Sequence, residues 1–284
     1  MKDLIILIML HNKEQIKMTN PLQYNDHKAD MPDDCIFKIS PSQFPKFADK
    51  PHFWYRSEVL GIKDFEYNTS TVLGTVVHYC ADQVAKQLPV DTNIITEYIE
   101  SFEDKEDYDP DAVKHHYVEM AERLVNDYVL ENAFLETEKF VVAPIRDGYY
   151  IGGQLDALQG EKDECMIVDY KTYHSKTTPR AFNSTYRYQL LTYAAALVRL
   201  GYTPTRIRLV YVNRHIEGAI SEKTGKQLKS YPPTVTVLTE TITEEDYAFI
   251  NSLLELCVDS VEASKAHPEL THVIWHDQRL KEEK

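Results

Sequence analysis

The sequence is poor in the residues that mark several common classes of protein. It has only 9 glycines in 284 residues, and they form neither a P-loop nor a dinucleotide-binding motif. Its 4 cysteines lie far apart, without CxxC or Cys/His metal spacing, so we expect buried free thiols in a reducing cytoplasm. These absences argue against nucleotide-dependent enzymes, zinc modules and disulfide scaffolds.

Long hydrophobic runs, internal repeats and Gly/Ser-rich linkers are also missing. The apolar run at residues 4–10 is too short to span a bilayer, and it lacks the basic flank and cleavage site of a signal peptide. We therefore expect a cytoplasmic protein without a membrane partner, and we hypothesise that translation starts at Met18. Residues 1–38 are expected to be a poorly structured lead-in to one domain, residues 39–284, with a helical N-terminal part.

Acidic residues outnumber basic ones, and the formal net charge is -14. This charge argues against broad, nonspecific adhesion to nucleic acid. It does not exclude a nuclease, because carboxylates that hold cations are themselves acidic and a basic channel can lie on an acidic body.

Hydrophobic periodicity predicts alternating helices and strands over most of the chain. Helices are expected at residues 71–88, 110–134, 180–200 and 244–266, with a short one after a Ser40 cap. Strands are expected at residues 139–145, 149–158, 165–172, 206–213 and 234–242. This order predicts an α/β domain with a mixed central sheet flanked by helices.

Two of these strands, GGQLDAL and IVDYKT, carry acidic residues that would face each other. A tight turn at residues 162–163 places Asp156 across from Asp169, about 5 Å away at Cβ. Two carboxylates so close require a cation, and Mg²⁺ prefers carboxylates together with water and phosphate oxygens. Gly152 and Gly153 are expected to leave room there for a bulky ligand.

Strand alternation places Lys171 on the same face as Asp169, whereas the side chain of Tyr170 points away and its carbonyl stays near the metal. Two acids and a lysine suit phosphodiester hydrolysis, in which a metal activates water and an ammonium stabilises developing charge. The alternatives are an exposed hairpin with scattered charges and a non-nucleolytic Mg²⁺ enzyme acting on a phosphorylated small molecule.

Over residues 40–214 the sequence resembles the PD-(D/E)XK nuclease superfamily. The resemblance is to the branch that contains RecB-type nuclease domains and RecE-like phage and prophage exonucleases. The matching segments are SPSQFPKFADKPHFWYRSEVLG, GTVVH, GGQLDAL, IVDYKT and YRYQLLTY, in the order of that branch. The resemblance implies a restriction-endonuclease-like core and a DNA exonuclease that uses Mg²⁺ or Mn²⁺. An endonuclease and a catalytically inactive nucleic-acid-binding module of the same fold remain alternatives.

The resemblance also implies roles for individual residues. Asp156 and Asp169 would be metal carboxylates, with His78 as a further metal ligand. Lys171 would be the catalytic lysine. Glu138 would assist the metal or the water. Gln189 and Tyr193 match the Q-x-x-x-Y signature of the helix after the core. The residues that would contact the substrate are Lys176, Arg180, Arg187 and Arg214.

Relatives that carry an iron–sulfur cluster have a cysteine before the proline of the opening segment. Here Lys50 precedes Pro51 and no C-terminal cysteine trio follows, so we expect no cluster. The pairs His115–His116 and His272–His276 are expected to be surface histidines rather than a zinc site. Beyond DNA, the resemblance implies work in recombination or repair, in the host cytoplasm for a phage-encoded chain. A single-strand annealing protein is a candidate partner and a homo-oligomer a candidate assembly.

Overall fold

The structure is a computed structural model, and it describes residue 22 and residues 30–62, 68–103, 105–174, 179–218, 220 and 224–276. The hypothesis of a start at Met18 and most of the expected lead-in lie outside the described residues. Within the described part, regular structure begins at Phe37, inside the range expected for the lead-in.

The predicted helices and strands are present, with boundaries shifted by a few residues. The helices are α1 (Pro45–Asp49), α2 (Pro51–Trp54), α3 (Thr69–Ala85), α4 (Thr92–Glu100), α5 (Pro110–Asp127), α6 (Ser184–Arg199), α7 (Glu244–Ala266) and α8 (Thr271–Ile274). The strands are β1 (Phe37–Ile39), β2 (Glu136–Arg146), β3 (Tyr149–Glu161), β4 (Glu164–Tyr173), β5 (Pro204–Asn213) and β6 (Val235–Thr241). Helices α2, α4 and α8 and strand β1 had not been predicted.

Side-chain caps explain where the long helices begin. The Asn68 side chain accepts hydrogen bonds from Ser70 N and Thr71 N at the start of α3, and Thr243 caps α7 in the same way. The predicted Ser40 cap is wrong. The Ser40 carbonyl closes a turn instead, and α1 starts after Phe44 with a proline at its first position and no side-chain cap.

The strands form one mixed sheet, which confirms the predicted fold class. Strand β3 pairs antiparallel with β2 along one edge, from Tyr149 to Leu158. Its opposite edge is therefore shared by β1, which pairs parallel over Tyr149–Ile151, and β4, which pairs antiparallel from Ala157 onward. Strand β5 joins β4 in parallel after the crossover helix α6, and β6 closes the sheet antiparallel to β5.

Helices cover both faces of the sheet, and strand alternation sends apolar side chains into both layers. Ile167 and Leu209 pack toward α6 and α7, whereas Val168 and Val210 pack toward α3, α4 and α5. Helix α6 is buried at every position from Leu190 to Leu197, as expected for a helix that is apolar around most of its circumference. Among the described residues, none of the helices combines the length and hydropathy needed to cross a membrane.

Candidate active site

Three acidic residues occupy corresponding positions on three adjacent strands. In the β2–β3 register, Thr137 faces Ala157 and Lys139 faces Leu155, so Glu138 lies across from Asp156. On the other side of β3 the predicted hairpin register is confirmed as far as the Ala157–Val168 pair. Continuing it by one residue brings Asp156 opposite Asp169, but that pair is not part of the ladder, because β3 and β4 separate at this point.

The separation leaves backbone groups without strand partners, and two side chains satisfy them. Between β1 and β4, residues 152–156 of β3 make no strand pair on that edge within the described part of the chain. The Tyr170 N–H donates to Asp156 Oδ2 at 2.7 Å. The buried Tyr193 hydroxyl donates to the carbonyl of Gln154. The open edge is thus held by specific hydrogen bonds, as buried backbone groups require.

His78 reaches this opening from helix α3. Its Nδ1 lies 3.5 Å from Asp156 Oδ2, and its ring meets the edge of the Tyr170 ring at 5.7 Å between centroids. One ligand atom each from His78, Glu138 and Asp156 lies within 4.8 Å of the others. The side chain of Tyr170 points away from the acids and into the α3–α5 layer, as predicted.

Burial makes the negative charge here costly. Burial and the adjacent Asp156 raise the pKa of Glu138 to about 8, although His78 opposes the shift. Burial also raises the pKa of Asp156, but His78, Lys171 and the Tyr170 N–H outweigh it and hold that pKa below its usual value. Burial lowers the pKa of His78, and Asp156 and Glu138 more than offset this, so it is raised.

This donor set fits a hard divalent cation. Carboxylate oxygens with one imidazole nitrogen are ligands that Mg²⁺ and Mn²⁺ accept. A cation would also relieve the crowding of negative charge that raises the pKa of Glu138. Glu138 had been predicted only as an assisting acid, and the structure places it within the candidate ligand group.

Lys171 lies beside the acids on the same face as Asp169, as predicted. Its Nζ is 2.7 Å from Asp169 Oδ2 and 3.5 Å from Gln189 Oε1, and it lies 4.7 Å from the centre of the Tyr186 ring. Burial lowers the pKa of Lys171, but Asp169 and Asp156 outweigh it and raise that pKa, so the ammonium is retained. Burial raises the pKa of Asp169 to about 6 even though Lys171 opposes the shift.

Helix α6 positions the groups around Lys171. The amide of Gln189 donates to Asp169 Oδ1 at 3.1 Å, so this predicted residue does reach the site. Tyr193, one turn later on the same face, contacts the β3 backbone instead. Tyr186 was missed as a site residue, although its spacing of three from Gln189 places it on that face. Tyr188 packs on Phe249, at 5.3 Å between ring centroids.

The interpretation of the two glycines as space for a ligand is wrong. A Cβ at Gly153 would lie 2.7 Å from Pro41 Cδ and 3.1 Å from the Tyr193 hydroxyl. A Cβ at Gly152 would lie 2.8 Å from Lys38 Cδ. The space beside these glycines is filled by the chain itself, around β1 and the turn that follows it.

The four predicted substrate-side cations lie in different environments. Arg187 does not offer a free charge, because it pairs with Glu240 at 3.0 Å and Asp246 at 2.6 Å. Arg214 is half-buried and donates to Ser70 Oγ at 2.6 Å. Arg180 is exposed. Lys176 lies outside the described residues.

The two histidine pairs lie outside the group of candidate metal ligands found among the described residues. His272 lies in α8, whereas His276 lies beyond its end and has a positive φ, so these two histidines do not share a face of one helix. The described residues include one group of three or more candidate metal ligands, His78, Glu138 and Asp156.

Comparison with known proteins gives a match to one family and to several solved structures. Residues 38–268 match the model of the PD-(D/E)XK nuclease superfamily. The chain resembles the crystal structure of a candidate exonuclease from Eubacterium rectale, with 13% identity, 81% of each chain covered and a TM-score of 0.52. It also resembles an alkaline exonuclease from Laribacter hongkongensis, with 14% identity, 66% of this chain and 90% of that chain covered, and a TM-score of 0.34. No curated protein gives a match.

Proposed function

Because this chain belongs to the PD-(D/E)XK nuclease superfamily, we propose that it is a metal-dependent deoxyribonuclease that degrades DNA from its ends. The observation that carries the proposal is the arrangement of three acids on adjacent strands with an ammonium beside them. Glu138, Asp156 and Asp169 occupy corresponding positions on β2, β3 and β4, where β3 and β4 separate, and Lys171 forms an ion pair with Asp169.

The metal would be held by His78, Glu138 and Asp156, with Asp169 and the carbonyl of Tyr170 as further candidate ligands. PD-(D/E)XK nucleases use divalent metals, and we propose Mg²⁺ or Mn²⁺ for this chain because the donors are mainly carboxylate oxygens. When bound, such a cation polarises the phosphate and makes water a better nucleophile.

The protein's own groups supply position and charge. Lys171 keeps its proton and can donate hydrogen bonds to the attacking water or to a phosphate oxygen as negative charge develops. Gln189 fixes Asp169 through one amide nitrogen and accepts from Lys171 through its oxygen. Tyr193 holds the β3 backbone two residues before Asp156. Preorganised charge of this kind needs no rearrangement during the reaction.

The biological setting rests on the motif resemblance. The segments from SPSQFPKFA to YRYQLLTY resemble the RecE-like branch, which supports exonuclease action in recombination or repair. On this proposal, residues 39–284 form the nuclease domain, and the protein works in the cytoplasm, that of the host for a phage-encoded chain. We also propose that the chain forms a homo-oligomer and acts together with a single-strand annealing protein.

The decisive experiment compares the wild type with Lys171→Ala on end-labelled linear DNA and on closed circular DNA, with Mg²⁺, with Mn²⁺ and with EDTA. We expect degradation of linear DNA only, lost in Lys171→Ala and in EDTA. Lys162→Ala is the matched control, because Lys162 lies in the β3–β4 turn, away from the acids, and should retain activity.

Other outcomes contradict specific parts of the proposal. Cutting of the closed circle would identify an endonuclease. Full activity of Lys171→Ala would refute the assigned role of the ammonium. A wild type that binds DNA but leaves DNA and RNA intact with both metals would indicate an inactive binding module.

A further inference from the structure

A cluster of basic side chains lies at the carboxyl ends of β4 and β5, next to the candidate active site. Tyr173 pairs with Asn213 at the end of the parallel ladder, and the N–H of Arg214 donates to the Tyr173 carbonyl at 3.0 Å. His174 and Arg214 therefore leave the sheet side by side. Helix α5 passes this point, since His215, next to Arg214, lies 3.0 Å from Glu119 of α5. His116 lies one turn earlier on that helix, where the charges of His174 and Arg214 act on its ring.

Arg214 carries a partly buried charge that the described residues do not neutralise. Burial lowers its pKa, its Nε is covered without a hydrogen-bond partner, and its guanidinium donates to the neutral hydroxyl of Ser70. Within the described part of the chain, it forms none of the ion pairs seen for Arg146, which meets three carboxylates, or Arg187, which meets two. In a chain of net charge -14, an arginine without a carboxylate partner among the described residues is available to bind an external anion such as a phosphate.

The imidazole of His116 lies in a positive environment. Burial lowers the pKa of His116, and His115, Arg214, His174 and His215 lower it further. Two acids face this region, and both lie against histidines: Glu119 pairs with His215 at 3.0 Å, and Glu217 lies 4.0 Å from His115. Among the described residues, neither acid forms an ion pair with Arg214. His116 Nδ1 is covered and has no hydrogen-bond partner among the described residues.

Helix α3 connects this cluster to the candidate metal ligands. Ser70, Gly74 and His78 are spaced by four residues, so they share one face of the helix. Ser70 contacts Arg214, and a Cβ at Gly74 would lie 3.3 Å from Thr172 Oγ1. His78 contacts Asp156. From Ser70 to His78 the helix rises about 12 Å over eight residues. Along a DNA duplex this distance corresponds to roughly three to four nucleotides, at about 3.4 Å of axis per phosphate in each strand.

We propose that Arg214, His116 and His174 form a subsite for a backbone phosphate of the bound DNA strand, a few nucleotides from the bond that is cut. The inference rests on the proposed function. It would explain how a protein with a negative net charge binds DNA, through a local basic subsite. A phosphate beside Arg214 would neutralise the half-buried guanidinium and would favour the charged form of the His116 imidazole. Binding of DNA at this subsite would therefore be accompanied by proton uptake at His116.

The test measures DNA affinity without cleavage. Fluorescence anisotropy of a labelled duplex is recorded in EDTA over a range of salt concentrations, for the wild type and for Arg214→Gln. We expect Arg214→Gln to weaken binding roughly tenfold and to reduce the slope of log K against log salt by about 0.9, the value for one phosphate contact. Arg123→Gln is the matched control, because Arg123 lies on α5 in a surface ion pair with Asp127, and its slope should equal that of the wild type.

A second variant tests the imidazoles. Wild-type affinity should increase as the pH falls from about 8 to about 6, and His116→Gln should show a smaller increase. Arg214→Lys should recover most of the salt slope that Arg214→Gln loses, because a lysine keeps the positive charge that faces the phosphate. Recovery would not be expected if Arg214 served only to hold Ser70 in place.

The outcomes separate this inference from the proposed function. If the wild type binds and cleaves DNA but Arg214→Gln keeps the full salt slope, the phosphate subsite is refuted and the nuclease proposal survives. If the wild type neither binds nor cleaves DNA, the proposed function itself fails. Equal affinity losses in Arg214→Gln and Arg123→Gln would indicate a general effect of charge and would overturn the subsite. Competition by inorganic phosphate alone at micromolar concentration, with no loss of DNA affinity in Arg214→Gln, would assign the cluster to a free anion instead.

Discussion

Alanine substitution at the two adjacent glycines of β3 should have unequal effects. At Gly152 an added Cβ would meet the side chain of Lys38 at 2.8 and 2.9 Å and Met31 Sδ at 3.1 Å, and both of these side chains are flexible. At Gly153 it would meet the ring of Pro41 at 2.7 Å and the hydroxyl of Tyr193 at 3.1 Å. Pro41 cannot rotate away, and Tyr193 is held by Gln154.

The size of the difference follows from two opposing effects. Either alanine restricts the unfolded chain and thereby adds about 0.4–1 kcal/mol to the free energy of unfolding. Forcing an extra methyl group into packed surroundings costs about 1–3 kcal/mol, and only Gly153→Ala should incur most of that cost. We therefore expect Gly152→Ala to be close to the wild type or slightly more stable, and Gly153→Ala to be about 1–2 kcal/mol less stable.

Urea unfolding followed by circular dichroism measures this difference directly, provided that the transition is two-state. Gly153→Ala should also lower kcat/KM about 10- to 100-fold, because it displaces Tyr193 from the backbone two residues before Asp156. If both variants unfold with the same free energy and both lose DNA affinity, the glycines make room for a ligand after all. The packing argument would then be refuted.

Three further predictions concern other parts of the site and its support. Tyr193→Phe should lower the free energy of unfolding by about 1–2 kcal/mol, because the Gln154 carbonyl loses its donor; urea unfolding that matches the wild type would contradict this. Asp156→Asn should weaken Mn²⁺ binding at least about tenfold in calorimetry, and retained affinity would exclude Asp156 as a ligand. Burial raises the pKa of Asp246, but the N–H of Thr243 and Arg187 outweigh it and lower that pKa. The stability that Asp246 contributes is therefore present above its unfolded pKa and is lost as the pH falls through the lower folded value. When the pH is lowered into this range, the free energy of unfolding should decrease less in Asp246→Asn than in the wild type.

The candidate site was predictable wherever local rules act. Strand alternation and a tight turn at residues 162–163 give the register of β3 and β4, which the structure follows as far as the Ala157–Val168 pair. The same alternation places Lys171 beside Asp169 and turns Tyr170 toward α3. The Gln189–Tyr193 spacing places both residues on one helix face, although it does not tell which partner each one meets.

Sequence reasoning was least informative where a residue's surroundings depend on elements distant in the sequence. Arg187 was predicted to contact the substrate, and β6 and α7 bring Glu240 and Asp246 against it. Gly153 looked like space for a ligand, but the turn after β1 places Pro41 there. Glu138 was expected only to assist, because nothing in the sequence reveals that β2 pairs with β3 in the register that brings it across from Asp156.

The sequence by itself determined the α/β architecture, the nuclease family and the composition of the acid and lysine set. Periodicity and short motifs encode these properties within a few residues of each other. Only the tertiary structure decided that β3 and β4 separate at the acids, that Tyr193 satisfies the freed carbonyl and that Arg214 lacks a carboxylate partner among the described residues. Such features depend on which distant side chains fill each space and neutralise each charge, and packing sets that only when the whole chain is folded.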